Sequence, residues 1–395
     1  MTEDVREIVI VGGSIAAVTA ADTLRRHGHE GSITIVSDER YTPYVRPPLS
    51  KGMLKGAETV ESVFMAPLRP DVAFRSGCRA VGLDRERRRV LLDGGEELPY
   101  DGLVVASGAR ARRLGPPEAG ELVVRDLDDA LRLRAAFAEA GSLVVVGGGF
   151  LGMEIASTAR GLGLEVTVVD QDPPLVRQFG GFLAEHMTRA AVDEGVRLVR
   201  SPGTVELVGG APVTAVRTAD GLLLEADVVV SAVGDVPNVE WLAGSGLGGP
   251  EGLLVDDRCR VAPGVVAAGD VVTRVSDRTG RPRRSPHWGS AIDQARAAAQ
   301  ALLKGDEAPV YRPAPYYWTE QWGLDIKICG RILPGATPEI LSGSLDERSA
   351  LIRWTHEGVP VAAATVNHRM PVVKLRKLAT ASDPVPPAFL EGARG

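Results

Sequence analysis

Leu143-Val-Val-Val-Gly147-Gly-Gly149-Phe-Leu-Gly152-Met-Glu154 is the stretch that decides how this chain is read. Its four apolar residues suit a fully buried parallel strand. Gly147, Gly149 and Gly152 follow at GxGxxG spacing, and a helix-compatible run, Met153–Leu162, continues from them. The glycines therefore sit where a strand turns into a helix. Gly147 permits the tight turn, Gly149 lets the backbone approach a pyrophosphate, and Gly152 lets helix and strand pack closely. The helix N-terminus then offers free amides and a partial positive charge to phosphate groups. A second strand, Glu165–Val169, ends at Asp170, 18 residues past Gly152. An acid at that distance accepts the ribose hydroxyls of NAD.

The same pattern stands at the beginning of the chain. Ile8–Val11 reads as a strand, Gly12-Gly13-Ser14-Ile15-Ala16-Ala17 as the turn and Ala16–Arg26 as the helix. Ser32–Val36 is the second strand, and Asp38 lies 21 residues past Ala17. Ser14 and Ala17 stand where the fingerprint has glycines. A serine still lets the backbone approach a phosphate, and alanine adds one methyl at the helix–strand contact. Two nucleotide sites in one chain imply two nucleotides, with electrons passing between them.

A chain of 395 residues is too long for one ordinary core, so two or three domains are expected. Hydrophobic content of 44% and charged content of 24% are those of a soluble globular protein. The net charge of −6 argues against a nucleic-acid binder, since no overall field attracts phosphate backbones. Met1-Thr2-Glu3-Asp4 is an acidic start without the basic and apolar segments of a signal peptide, and no apolar run is long enough for a membrane span. The expectation is a cytoplasmic protein with no membrane partner. Only Cys78, Cys259 and Cys329 carry thiols, and no two are close in sequence. That excludes a local CxxC or CxxxxC redox pair and a zinc or iron–sulfur ligand set, so no metal is expected and the thiols read as buried or half-buried.

Between these landmarks, Tyr41–Lys51 is a proline-fixed loop in which Ser50 is a candidate cap for a short helix. Val81–Asp101 reads as two short strands around an Arg-rich turn (Arg85, Arg87, Arg88, Arg89), either an anion or partner site or a solvated hairpin tip. Leu103–Ala106 is a buried strand ending in Ser107-Gly108, a helix starts near Asp126, and Val228–Val233 is a buried strand closing with Gly234. Val265–Ala268 is a short strand ending in Gly269-Asp270, followed by an Arg-rich segment from Arg274 to Arg284. Ser290–Leu303 is an alanine-rich helix with Asp293 and Arg296 on one face. From Pro309 the composition shifts towards proline and aromatics (Tyr311, Tyr316, Tyr317, Trp318, Trp322) and looks like a third domain. The tail after Ser382 is expected to fray.

These motifs together resemble the FAD-dependent, NAD(P)H-linked ferredoxin reductases of the putidaredoxin reductase and rubredoxin reductase group, related to apoptosis-inducing factor. The resemblance covers essentially the whole chain. It rests on the amino-terminal dinucleotide motif, Arg46-Pro-Pro-Leu-Ser-Lys51, Ala106-Ser-Gly108, Arg125-Asp-Leu-Asp-Asp129, the central fingerprint, Ala268-Gly-Asp270, His287-Trp288 and Pro315-Tyr-Tyr-Trp318. It implies an α/β chain with two Rossmann-like dinucleotide-binding domains, the FAD domain interrupted by the NAD domain, plus a smaller α+β C-terminal domain. The boundaries would be 1–112 and 236–312 for FAD, 113–235 for NAD, and 313–395 for the C-terminal interface domain.

The resemblance also implies roles. Gly12, Ser14, Ala16 and Ala17 would face the FAD pyrophosphate and Asp38 its adenosine ribose. Arg46, Val81, Ala106 and Gly108 would line the same nucleotide, Arg125 its phosphate side, and Gly269-Asp270 the ribityl chain or a phosphate. Trp288 and Trp318 would lie near the isoalloxazine ring, with core packing as the alternative. Lys51 would sit near flavin N5, with Glu154 as the acid that pairs with it, making these two the catalytic candidates. Gly147, Gly149, Gly152, Glu154, Asp170, Arg177 and Gly234 would hold NAD. This chain carries Ser107 where many relatives have threonine, Pro286 at a position that is often acidic and Ala295 where relatives have glycine.

Asp170 argues for NADH, because a carboxylate there repels a 2′-phosphate, and Asp172 adds to that repulsion. Arg177 either serves NADPH or contacts the NAD phosphates. The implied activity is electron transfer from NADH through FAD to an acidic 2Fe-2S ferredoxin that feeds an oxygenase such as a haem monooxygenase. The alternatives are an NADH oxidase-type flavoenzyme, whose relatives carry a redox cysteine where this chain has Tyr44 to Lys51, and an NAD-sensing flavoprotein. The candidate partner residues are Arg278, Arg281, Arg283 and Arg284, with Arg369, Lys374, Arg376 and Lys377, against scattered surface charge. A monomer or weak homodimer is expected.

Overall fold

The computed structural model describes residues 5–276 and 280–380. The chain forms two compact units, each assembled from several segments. The first comprises Met1–Arg46, Val60–Arg110 and Asp235–Pro313, and the second Pro47–Thr59, Ala111–Gly234 and Ala314–Gly395.

The first unit is built on a six-stranded sheet. Its order is Arg260–Ala262, Val265–Ala267, Gly102–Val105, Glu7–Val11, Ser32–Val36, Ala73–Arg75, parallel throughout except at the Arg260–Ala262 edge. The central strand is apolar at every position after Glu7 because both of its faces are covered. Ile8 and Ile10 pack with Ala17, Ala20, Ala21 and Leu24 of the Ile15–Arg26 helix and with the alanines of the Trp288–Lys304 helix. Val9 and Val11 point the other way, into a core with Leu83, Val90, Trp241, Leu253 and Val272. The Val81–Asp101 region has three strands rather than two: Ala80–Asp84, Arg89–Leu92 and Glu97–Pro99 form an antiparallel sheet. Arg88 turns between the first two with φ 53°, so the arginines lie at a hairpin tip.

In the second unit, four parallel strands run in the order Arg197–Arg200, Glu165–Asp170, Ser142–Val146, Val228–Ser231. The last strand stops at Ser231, short of the expected Val233. The Leu127–Phe137 helix starts on a reciprocal cap, in which Asp126 accepts from the Asp129 amide and Asp129 from the Asp126 amide. A three-stranded antiparallel sheet (Glu206–Gly209, Val213–Arg217, Leu223–Glu225) shares a core with the parallel one through Val144, Val146, Val216 and Val229. The carboxy-terminal portion is a five-stranded antiparallel sheet ordered Tyr316–Gln321, Leu324–Gly330, Val359–Val366, Ser349–His356, Thr337–Ser344. The Val372–Thr380 helix covers it through Leu375, Leu378 and Ala379. Among the described residues, no helix is long and apolar enough to cross a membrane. The tail after Ser382 lies outside the described residues.

Candidate functional site

The central fingerprint folds as its spacing requires. The Ser142–Val146 strand enters Gly147, whose φ of 110° is a left-handed-side value that glycine adopts freely. The Phe150–Gly161 helix begins at Gly149, and no side chain caps its first amides, which leaves them for an anion. A Cβ on Gly152 would lie 1.9 Å from the Gly147 carbonyl oxygen, so only glycine allows this helix to sit so low on the strand. A Cβ on Gly149 would touch only Gln178 Nε2, at 3.4 Å, and one on Gly234 would meet nothing within 4 Å. Asp170 ends the next strand with its carboxylate fixed: Oδ2 accepts from the Gly148 amide at 2.6 Å and Oδ1 from the Asp172 amide at 3.1 Å. Arg177 is exposed and paired with Asp172, Nη2 to Oδ2 at 2.6 Å.

Five positions into that helix, Glu154 is buried in the second unit and meets three donors. Lys51 Nζ and Ser50 Oγ donate to its Oε2 at 2.8 and 2.6 Å, and Thr319 Oγ1 donates to its Oε1 at 2.7 Å. Ser50 was expected to cap the following short helix (Gly52–Lys55), but Lys51 occupies that capping position and no side chain caps it. The Ser50 hydroxyl is committed to the carboxylate instead, and its carbonyl accepts from Thr158 at 3.0 Å. Trp318 is half-buried and stacks on Tyr316, ring centroids 5.5 Å apart. Arg125 precedes the capped helix, its amide donating to Asp129 at 3.0 Å.

The first unit holds the second cradle. A Cβ on Gly12 would collide with the Ala106 carbonyl oxygen at 2.0 Å, so the turn crosses directly over the end of the neighbouring strand. The Ile15–Arg26 helix starts at Ser14 with no side-chain cap and no acid in its first turn. Arg46 stands at this helix start, Nε donating to Ser14 Oγ at 3.3 Å and Nη1 to the Tyr44 hydroxyl at 3.1 Å, with Glu39 holding both Arg46 and Tyr44. Asp38 is turned to solvent and paired with Arg79 at 3.0 Å. Val81 is exposed on the hairpin strand, while Ala106 is buried and Gly108 adopts φ 66°. Ala16 and Ala17 are buried against the sheet, and the Gly269 amide donates to the buried Gln294 side chain at 2.8 Å.

Arg284 was a candidate for a partner surface and is not one. Its guanidinium is withdrawn from solvent, Nη2 to Asp235 Oδ2 at 2.6 Å and Nε to the Asp270 carbonyl at 2.9 Å, so it braces the Gly269-Asp270 turn. Arg376 is half-buried beside Cys329, whereas Arg281, Arg283, Arg369, Lys374 and Lys377 are exposed. Arg278 lies outside the described residues. The three cysteines are free, Cys259 and Cys329 buried and Cys78 half-buried. Burial pushes the Cys259 thiol up to about 12 and the Cys329 thiol up to about 11.

The pyridine nucleotide-disulphide oxidoreductase model matches residues 6–301, and the reductase C-terminal model matches residues 316–393. Rhodocoxin reductase of Rhodococcus erythropolis is 35% identical over 86% of this chain and 81% of its own length. The ferredoxin–NAD(+) reductase component of the anthranilate 1,2-dioxygenase system of Burkholderia cepacia is 33% identical over 94% of each chain. The reductase in the covalent putidaredoxin reductase–putidaredoxin complex superposes with a TM-score of 0.84 at 30% identity, over 97% of this chain and 95% of that one. This chain belongs to the FAD-dependent ferredoxin reductase family. As a ferredoxin reductase it is an oxidoreductase that uses FAD and NAD(H). The two cradles fit these groups, since each offers a helix start with no side-chain cap behind a glycine turn that passes close over neighbouring backbone.

The ferredoxin reductase also carries a histidine whose structural part was not read from the sequence. His287 is the cap of the Trp288–Lys304 helix, its Nδ1 accepting from the Gly289 amide at 3.2 Å, and Trp288 follows it half-buried. Burial pushes this imidazole down to about 4, against the pull of the Asp270 carboxylate. The folded chain refuses a proton that the unfolded chain accepts below about 6.5. Stability contributed by neutral His287 is therefore present above pH 6.5 and lost as the pH falls from 6.5 towards 4. Urea midpoints of the holoprotein should drop across that window, and His287→Asn, which keeps a capping oxygen, should flatten the drop.

Proposed function

We propose that this chain passes electrons from NADH through FAD to an acidic 2Fe-2S ferredoxin in the cytoplasm, which supplies an oxygenase such as a haem monooxygenase. The observation that carries this reading is the ion pair between Lys51, in a loop, Tyr44 to Lys51, that contains no cysteine, and the buried Glu154 of the nucleotide helix. When bound, the flavin takes a hydride and gives up electrons singly. The uncapped helix start at Gly149 seats the NADH pyrophosphate, Gly147 and Gly152 keeping the turn and helix close to the strand, with Arg177 nearby and Gly234 leaving room for the nicotinamide end. Gly12, Ser14, Ala16 and Ala17 do the same for FAD, with Arg46, Val81, Ala106, Gly108, Arg125, Gly269 and Asp270 around it and Asp38 towards the ribose. Lys51 presents a cation where negative charge arrives on the ring, and Glu154 holds that cation in place. Trp288 and Trp318 lie near the ring, with core packing as the alternative. With no thiol in that loop, electrons leave directly to the partner, and the chain works as a monomer or weak homodimer.

Anaerobic titration of the purified holoprotein with NADH, followed by a 2Fe-2S ferredoxin, tests the reading. The visible flavin absorption should bleach with one equivalent of NADH and return as ferredoxin is added. Rapid oxygen consumption without ferredoxin, with no electron transfer to it, would overturn the assignment.

The fixed Asp170 carboxylate sets nucleotide choice. Seating a 2′-phosphate beside it costs several kcal/mol, so kcat/KM for NADH should exceed that for NADPH by about a hundredfold. Asp172→Asn releases Arg177 from its ion pair and should narrow that ratio. On the partner side, replacing Arg281 and Arg283, or Lys374 and Lys377, with glutamine should lower the ferredoxin association rate. It should also weaken its salt dependence, while NADH reduction of the flavin stays the same.

A further inference from the structure

The Glu154 carboxylate is the end of a longer buried chain that begins in the carboxy-terminal sheet. Trp322 Nε1 donates to Gln321 Oε1 at 3.0 Å, Gln321 Nε2 donates to Thr319 Oγ1 at 3.0 Å, and Thr319 Oγ1 donates to Glu154 Oε1 at 2.7 Å. Every member lies in the second unit. Its direction follows from chemistry alone. An indole N–H can only donate, so it selects the oxygen end of the Gln321 amide. The amide nitrogen is then left facing Thr319 and donates to it, and the Thr319 hydroxyl spends its single proton on the carboxylate. Thr319 is fully buried and Gln321 nearly so, at 0% and 3% exposed, and Trp322 is pinned at its own amide by Ser157 Oγ at 2.8 Å. With Ser50 and Lys51 on Oε2 and Thr319 on Oε1, neither carboxylate oxygen can swing without breaking a bond.

We infer that Thr319 is a positioning residue for hydride transfer: oriented by Gln321 and Trp322, it fixes the Glu154 carboxylate and through it the place of the Lys51 ammonium. The inference rests on the assignment of Lys51 and Glu154 to the flavin face. A lysine ammonium on a four-carbon stem has no preferred place of its own, and its position is set by the carboxylate oxygen it meets.

The test compares Thr319→Val, which keeps the shape and removes the hydroxyl, with Thr319→Ser, which keeps the hydroxyl. In Thr319→Val, flavin bleaching at saturating NADH should slow about tenfold, with the NADH concentration at half-saturation unchanged. The flavin midpoint potential should fall by about 30 mV, the two-electron equivalent of that factor. Thr319→Ser should restore both. A normal rate and potential in Thr319→Val, with only a lower melting temperature, would reduce Thr319 to packing and overturn the inference. Trp322→Phe removes the orienting donor from the far end and should slow bleaching about threefold, less than loss of the hydroxyl itself. It keeps the inference falsifiable if Thr319→Val does not fold, because an unchanged rate and potential there would overturn it. Lys51→Met separates the two levels. If it is slow while Thr319→Val is normal, only the anchoring role fails; if Lys51→Met is also normal, the assignment of the flavin face fails with it.

Discussion

Gly152→Ala will lower kcat/KM for NADH at least about a hundredfold while the protein still purifies yellow. The added methyl would stand 1.9 Å from the Gly147 carbonyl oxygen and 3.3 Å from the Ala232 side chain. The first of these obstacles is backbone at the mouth of the turn and cannot rotate away. The helix must rise off the strand, and overpacking of this kind costs about 1–3 kcal/mol or more. Raising the helix also lifts the free amides that seat the pyrophosphate, so the loss falls on NADH. Gly161→Ala, at the last turn of the same helix with nothing within 4 Å of its Cβ, is the control and should change neither parameter. Steady-state kinetics and the visible flavin absorbance of the purified variants read the two effects separately. An unimpaired Gly152→Ala enzyme would mean that the nicotinamide nucleotide binds elsewhere.

Lys51→Met produces the second large effect, and it has two parts. The Lys51 and Glu154 side chains are 17% and 9% exposed. Removing the cation leaves a buried carboxylate with the Ser50 and Thr319 hydroxyls as its donors among the described residues, and breaking a buried pair this way costs about 3–5 kcal/mol of stability. Removing a preorganised charge from the site of developing negative charge slows the chemical step by about a hundred- to a thousandfold. The double variant Lys51→Met with Glu154→Gln separates the parts, since a neutral amide no longer needs a cation. Its melting temperature should recover and its rate of flavin reduction should not. Recovery of both in the double variant would make the pair purely structural.

Both of those residues were legible in the sequence, and what was hidden about them is instructive. The strand–glycine–helix spacing located the two cradles because close backbone approach leaves residue-type constraints in consecutive positions. The Arg46-Pro-Pro-Leu-Ser-Lys51 string marked Lys51, and the resemblance to the ferredoxin reductases marked Glu154. Their shared contact joins residues 103 apart, and no local spacing encodes that. Thr319 is further still, 165 positions from Glu154. It left one trace: Thr319 and Gln321 alternate inward on the Tyr316–Gln321 strand while Glu320 points out, so two polar groups occupy the buried face. Ser50 was misread because a serine before a short helix is a common cap, and a charged acceptor at 2.6 Å outcompetes a backbone amide. Arg284 was misread because an arginine in a run of arginines looks like surface, whereas Asp235, far away in sequence, withdraws it.

The segment pattern of the two units bears on how the polypeptide is made. The chain passes from one unit to the other at residues 46, 59, 110, 234 and 313, so neither unit is a contiguous piece. In the first unit the Gly102–Val105 strand keeps an open edge until Val265–Ala267 arrives to pair with it. During synthesis that apolar edge emerges from the ribosome more than 150 residues before its neighbour exists. Truncations meant to isolate one nucleotide-binding half should therefore aggregate, and yield in the cell should depend on chaperones that shield the waiting edge.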